Sequence, residues 1–189
     1  QAPSEGEAQA THVVKKGDAY AVLSQDADCL LYGAPRMVRN LSISGKRKMT
    51  GKTAFVSVSP ELIQIEKVLN KLGINNEQLI ALSIMVGTDY NPGGIKGIGP
   101  KKALKIIKEN SIEKAFEIAE WDKHFETSWK EIYELFKKMP VSDDYEIKFR
   151  KPDLEGIKNY LAEFEFSEQR IENSLKKLNA EEHSQTGLG

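Results

Sequence analysis

Apolar residues follow two different patterns along this chain, and the pattern changes near residue 60. Before that point, three short apolar runs at 19–24, 35–41 and 54–58 predict β-strands. The run at 19–24 (AYAVLS) is typical of a strand buried in a parallel sheet. A helical pattern precedes it, with Ser4 as the predicted cap, Glu7 as its capping-box partner and Gly17 as the stop. These features predict an α/β unit.

From Pro60 onward the apolar residues recur with the period of a helix. The predicted helices cover 60–72, 77–86, 100–110, 111–119, 126–138, 154–163 and 167–180. We therefore predict an α/β part at 1–86, a helical part at 87–180 and a disordered polar tail at 181–189.

Composition excludes several classes of protein. The chain has 189 residues, of which 40% are hydrophobic and 29% charged, as in an ordinary globular protein. No apolar run approaches the ~20 residues that span a bilayer, so no membrane partner is expected. Cys29 is the only cysteine, which excludes an internal disulfide and favours an intracellular setting.

Positive charge is clustered although the net charge is only −1. Residues 36–52 hold six Lys or Arg and no acid, and 96–108 hold five more. The part of the first cluster at 44–52 (SGKRKMTGK) reads as an exposed basic hairpin tip. Basic patches on a near-neutral protein fit phosphate contacts confined to one face, and a solvated surface is the alternative.

A Gly-rich turn, GTDYNPGGIKGIGPKKA at 87–103, precedes one of the predicted helices. Gly97 and Gly99 lie in the turn, and Pro100 stands near the first helical position, where its missing N–H costs nothing. Backbone N–H groups at that helix start, with Lys101 and Lys102 beside them, make a seat for phosphate. The pattern predicts a helix–hairpin–helix that grips one nucleic-acid strand, and a plain turn that binds nothing is the alternative.

Acidic residues in three places suggest a metal site. Asp26 and Asp28 follow the predicted strand at 19–24, and on extended backbone this spacing points both carboxylates the same way. Clustered carboxylates without His or Cys suit Mg²⁺, and two such ions about 3.5–4 Å apart can serve phosphodiester hydrolysis. Taken singly, Glu7 could be a helix cap, Glu5 plain surface, and Asp26 or Asp28 a turn cap. The predicted metal and catalytic set is Glu5, Glu7, Asp26, Asp28 and Asp89.

Four blocks of the chain resemble the structure-specific 5′ nuclease family, in particular the C-terminal portion of archaeal-type flap endonucleases. They are APSEGEAQA at 2–10, SQDADCLLYGAPRMVRNL at 24–41, the turn at 87–103, and MPVSDDYEIKFRKPDLEGI at 139–157. The resemblance implies an α/β fold: part of a parallel-sheet, PIN-like nuclease domain followed by a helical helix–hairpin–helix (H3TH) region.

The resemblance also implies a function and its sites. Such enzymes use two Mg²⁺ ions to cleave 5′ flaps at duplex junctions in DNA replication and repair, and their metal ligands match the five acids. K⁺ in relatives rests on backbone carbonyls that correspond here to Gly94, Ile95 and Ile98. The implied DNA-binding residues are Gly94, Lys96, Gly97, Gly99, Lys101 and Lys102.

The two ends of the chain differ from the family pattern. Gln185 and Leu188 match the start of a sliding-clamp (PCNA) motif whose aromatic anchors are missing, so weak clamp binding is expected. Relatives are nearly twice as long, so we expect a monomeric fragment without the N-terminal half that is not a competent nuclease alone. The expected setting is an archaeal cytoplasm or nucleoid, or a nucleus in a eukaryote. The alternatives are a non-catalytic helix–hairpin–helix DNA-binding module, against which the five acids argue, and a related 5′ exonuclease or junction nuclease.

Overall fold

The first part of the structure contains both strands and helices, and helices alone follow in the rest of the described residues. The computed structural model describes residues 1–41, 45–48, 55–148 and 151–184. The first elements are α1 (Gly6–Lys16), β1 (Val22–Leu23), α2 (Asp28–Leu31), β2 (Arg36–Arg39), β3 (Gly45–Lys48), β4 (Phe55–Val58) and β5 (Glu61–Gln64). They are followed by α3 (Ile65–Leu72), α4 (Asn76–Val86), α5 (Pro100–Glu109), α6 (Ile112–Ile118), a 3₁₀ turn (Trp121–Lys123), α7 (Trp129–Lys138), α8 (Leu154–Glu163) and α9 (Glu168–Ser184).

The chain forms two compact units, residues 1–145 and residues from 146 onward. In the second unit, Asp153 caps α8 by accepting a hydrogen bond from the Gly156 N–H at 2.9 Å, and Ile171 of α9 is buried. The helix α9 extends to Ser184, beyond the predicted end at residue 180. The boundary that the sequence predicts after residue 86, between the α/β part and the helical part, stays a prediction.

A small mixed sheet has the strand order β1-β2-β5. The strand β1 is parallel to β2, with Val22 opposite Met37, and it is much shorter than the predicted 19–24. The helix predicted to start at Pro60 is wrong in its first turn, because residues 61–64 form β5, antiparallel to β2. This pairing sets Ile63 opposite the fully buried Met37, and the helix begins only at Ile65.

A separate antiparallel pair joins β3 to β4, with Gly45 opposite Val58 and Lys48 opposite Phe55. The predicted strand at 54–58 is therefore present as β4. Part of the predicted hairpin tip at 44–52 forms the strand β3 instead, and the remainder of that tip lies outside the described residues.

The helix α4 lies at the centre of the main hydrophobic core. Ile80, Ala81, Ile84 and Met85 of α4 are buried, together with residues of α5, α6 and α7. A capping box between Asn75 and Gln78 fixes the start of this helix. The end of α4, which leads to Asp89, is thus held by packing on several sides.

Among the described residues, no helix combines the length and apolar character that a membrane span requires.

Candidate metal centre and nucleic-acid interface

Acidic side chains from three separate segments line one cavity of about 100 Å³. Two tyrosines complete the lining, and no Lys or Arg of the described chain contributes to it. The lining residues are Glu5, Glu7, Asp26, Asp28, Asp89, Tyr32 and Tyr90. The structure therefore brings together all five acids that the sequence singled out.

Glu5 and Glu7 reach the cavity from the start of α1. Glu5 is the N-cap residue and Glu7 lies in the first turn, where the helix dipole favours negative charge. The predicted capping box is wrong, since no side chain caps this helix. The Ser4 hydroxyl instead lies 3.2 Å from the sulfur of Met139, and the Glu7 carboxylate accepts a hydrogen bond from the Ser24 hydroxyl at 3.4 Å.

Asp26 and Asp28 are placed by a turn and not by extended backbone, which corrects the predicted reason for their convergence. The Asp26 N–H donates to the Ser24 hydroxyl, and the Asp28 N–H donates to the Asp26 carboxylate, both at 3.0 Å. Asp28 is the first residue of α2. The turn role that sequence reasoning left open for Asp26 is thus present, and it coexists with the position of Asp26 at the cavity.

Asp89 lies on a turn that Asn91 organises. Asn91 is 2% exposed, and its amide donates to the Ile84 carbonyl at 2.7 Å. The Asn91 side-chain oxygen accepts from the Thr88 hydroxyl at 2.7 Å and from the Thr88 N–H at 3.3 Å. Asn91 therefore ties the turn that carries Asp89 to the last turns of α4. Sequence reasoning missed this residue, and its only local signal was its place before Pro92 in a turn.

Tyr32 and Tyr90 were also missed as cavity residues. The Tyr90 hydroxyl donates to the Glu5 carboxylate at 3.4 Å, and the rings of Tyr90 and Tyr32 each lie 5.5 Å from the ring of Phe136. Burial raises the pKa of Tyr32, with the neighbouring Tyr90 next in effect, so Tyr32 stays neutral. The available signal was proximity in sequence, since Tyr32 follows Asp28 by one helical turn and Tyr90 follows Asp89 directly.

The acids in this cavity affect one another electrostatically. Burial, and then the charges of Asp26, Asp89, Glu7 and Glu5 in that order, together raise the pKa of Asp28 to about 6. As the side chains stand, no three His, Cys, Asp or Glu in the described ranges already form a ligand set for one ion. The cavity is thus a crowded group of carboxylates that a cation would stabilise, rather than a closed metal cage.

The Gly-rich turn is packed tightly against the end of α4. The Ile95 N–H donates to the Met85 carbonyl at 2.8 Å. Gly94 has a φ of +59°, and a Cβ there would lie 2.2 Å from the backbone of Val86. Only glycine fits this position, because any side chain would meet backbone atoms that cannot move aside.

The predicted phosphate contacts lie on the open side of this turn. Lys96, Lys101 and Lys102 are exposed, and the Lys102 ammonium lies 3.4 Å from the Gly97 carbonyl. Gly99 caps α5 and Pro100 is its first residue, as the sequence predicts. The side chains of Ile95 and Ile98 are buried, and Gly94 is half-buried. The predicted clamp residues, Gln185 and Leu188, lie outside the described residues.

Known proteins resemble this chain in sequence and in structure. The family model of the XPG I-region matches residues 1–89. Flap endonuclease 1 of Pyrococcus abyssi is 53% identical over 179 residues, which cover 94% of this chain and 51% of that relative. Flap endonuclease 1 of Aeropyrum pernix is 47% identical over 183 residues, with the same shares covered. The chain is therefore similar in sequence to the archaeal flap endonucleases. It spans about half the length of the curated relatives that it matches.

Solved structures agree with this relationship. Flap endonuclease-1 from Methanococcus jannaschii matches with a TM-score of 0.74 and 41% identity, over 94% of this chain and 51% of its own. Human GEN1 in complex with Holliday junction DNA matches with a TM-score of 0.64 and 25% identity, over 94% of this chain and 47% of its own. These neighbours confirm the predicted fold class of a nuclease α/β part followed by a helical H3TH region.

Proposed function

We propose that this chain is part of a metal-dependent, structure-specific nuclease that cleaves 5′ flaps of DNA at their junction with duplex. The observation that carries the proposal is the cavity in which five carboxylates converge beside a Gly-rich helix start. The identity of about 50% to archaeal flap endonucleases supports the choice of substrate.

The five carboxylates fit Mg²⁺. Their donor atoms are all oxygen, and no Lys or Arg in the described chain lines the cavity to neutralise them. Repulsion by the other four acids adds to the effect of burial in raising the pKa of Asp28. Bound Mg²⁺, as two ions in this proposal, would activate water and stabilise charge on the phosphate. Glu5, Glu7, Asp26, Asp28 and Asp89 would hold the ions, and Tyr90 would orient Glu5 through its hydroxyl.

The turn and the start of α5 would hold the duplex by its phosphates. Backbone N–H groups at a helix start bind anions, and exposed Lys101 and Lys102 add positive charge there. Lys96, Gly97 and Gly99 lie on the same exposed turn, while Gly94 gives it its shape. Because such contacts address phosphates and not bases, binding would be nearly independent of sequence.

K⁺ at the turn is a further part of the proposal. The proposed ligands are the carbonyls of Gly94, Ile95 and Ile98. The Ile95 carbonyl accepts one hydrogen bond, from the Ile98 N–H at 3.0 Å, so it keeps a second lone pair for a cation.

We also propose an intracellular, DNA-associated protein that acts as a monomer, with weak binding to a sliding clamp through Gln185 and Leu188.

A related junction nuclease is the second candidate function. The likeness to human GEN1, whose structure contains Holliday junction DNA, favours it. The higher identity to the Methanococcus jannaschii flap endonuclease-1, 41% against 25%, favours the flap substrate.

A cleavage assay with matched DNA substrates tests the proposal. The chain would be assayed alone and joined to the complementary half of the Pyrococcus abyssi relative, on labelled 5′-flap and Holliday-junction DNA. We expect Mg²⁺-dependent cleavage of the flap by the joined protein, and its loss in Asp89→Asn with DNA binding retained. Preferential cleavage of the Holliday junction would support the second candidate. Binding without any cleavage would indicate a non-catalytic module.

A further inference from the structure

The segment that follows α7, residues 139–145, runs along α1 and is joined to it by hydrogen bonds. We call it the brace segment. The Gln9 amide donates to the Ser142 carbonyl at 2.8 Å, and the Ser142 N–H donates to the Gln9 side-chain oxygen at 2.7 Å. These two partly buried bonds pair one side chain with both backbone groups of a residue 133 positions away.

Charged and polar contacts extend this junction along the helix. His12 and Lys16 contact the Asp143 carboxylate at 2.7 Å and 2.9 Å. Hydrogen bonding to Lys16 and then His12 lowers the pKa of Asp143 to about 2, so Asp143 stays ionised. The Tyr145 hydroxyl donates to Asp18 at 2.5 Å, just beyond the end of α1. The brace segment therefore contacts α1 over most of its length.

The brace segment lies on the side of α1 opposite Glu7. Gln9, His12 and Lys16 share one face because they are spaced i, i+3 and i+7. Glu7 precedes Gln9 by two residues, which is about 200° around a helix of 3.6 residues per turn. Glu7 and the brace contacts thus lie on opposite sides of α1, whereas Glu5, four residues before Gln9, lies on the side of the brace segment.

The start of α1 needs such support. Glu5 and Glu7 face three other carboxylates that repel them, and no side chain caps the helix. The helix buries only Ala8, Thr11 and Val14. Repulsion across the cavity therefore acts on the first turn of α1, and the contacts with the brace segment oppose any shift of the helix.

We propose that the brace segment sets the position of α1, and so of Glu5 and Glu7, for cation binding. Gln9 and Asp143 are then positioning residues. This inference rests on the proposed function, through the metal-ligand role of the two glutamates. The inference means that part of the Mg²⁺ affinity depends on a segment that lies more than 130 residues from Gln9 in the sequence.

Mg²⁺ titration calorimetry on Gln9→Ala and Asp143→Asn tests the inference, with the melting temperature in EDTA as a second measurement. Supporting side chains behind metal ligands typically change affinity by 10–100-fold, so we expect about tenfold weaker Mg²⁺ binding for Gln9→Ala and about threefold for Asp143→Asn. Gln9→Glu keeps the acceptor for the Ser142 N–H and should fall between Gln9→Ala and the wild type.

Asp144→Asn is the matched control, because it removes the same charge from the neighbouring exposed residue. It should bind Mg²⁺ as the wild type does. A lower melting temperature in EDTA with unchanged Mg²⁺ affinity in Gln9→Ala and Asp143→Asn would overturn the inference and leave the proposed function intact. A wild-type chain that binds no Mg²⁺ would overturn both.

Discussion

Replacing Asp28 by Asn should stabilise the metal-free protein at neutral pH. In the folded chain the pKa of Asp28 rises from 3.8 to about 6, chiefly through burial and then through repulsion by Asp26. Because the folded state holds this proton more tightly than the unfolded state, protonated Asp28 favours folding. This contribution to the free energy of unfolding is fully present below pH 3.8 and is lost as pH rises through about 6. At pH 7.5 the ionised Asp28 therefore opposes folding, and a neutral Asn does not.

The size of this effect follows from the pKa shift. A shift of about two units corresponds to roughly 3 kcal/mol for a fully buried group. Asp28 is only partly buried, so solvent screening reduces the expected effect to about 1 kcal/mol. For a domain of this size, about 1 kcal/mol raises the melting temperature by roughly 2–4 °C.

The assay is thermal unfolding of wild type and Asp28→Asn at pH 5 and pH 7.5, in EDTA and in Mg²⁺. In EDTA at pH 7.5, the melting temperature of the variant should exceed that of the wild type. At pH 5 the difference between the two melting temperatures should be much smaller. Mg²⁺ at ten times its dissociation constant should stabilise the wild type by about 1.4 kcal/mol, and the variant much less. The exposed Asp122→Asn, on the 3₁₀ turn, is the control and should change neither result. A variant that is less stable than the wild type in EDTA at pH 7.5 would refute the reasoning.

Three further predictions concern the turn and its lysines. Gly94→Ala should destabilise the fold by more than about 2 kcal/mol in chemical denaturation, because its Cβ would lie 2.2 Å from backbone. Gly99→Ala meets open space and should cost only about 1 kcal/mol, through the less favourable N-cap of α5; equal effects would contradict the packing argument. Asn91→Ala should cost about 2–3 kcal/mol in the same measurement, because it leaves the Ile84 carbonyl and Thr88 without their buried partner, and a neutral result would refute that role. Lys101→Ala and Lys102→Ala should each reduce, by about one, the slope of the logarithm of the duplex-binding constant against the logarithm of salt concentration. An unchanged slope would mean that these lysines contact no phosphate.

The sequence located the acids but not the structure that brings them together. Asp26 and Asp28 were expected on extended backbone, and the structure places them by a turn whose key acceptor is Ser24. Asn91 and Tyr32 were missed because their roles depend on partners, Ile84 and Phe136, that a local pattern cannot reveal.

The strand β5 shows why one helix prediction failed. Leu62, Ile65, Leu69 and Leu72 repeat with helical spacing, so residues 60–72 read as one helix. Pairing with β2 overrides that spacing at 61–64, and a partner strand more than twenty residues away cannot be read from the local sequence. The helix start at Pro100 was predictable, since proline and glycine act through local backbone geometry alone.

The most direct test of the central claim is a crystal structure of the chain with Mn²⁺ in place of Mg²⁺, with anomalous scattering used to locate the ions. We predict anomalous peaks inside the cavity, within bonding distance of oxygens from Glu5, Glu7, Asp26, Asp28 and Asp89. Mn²⁺ bound elsewhere on the protein, with these carboxylates turned toward solvent, would contradict the account.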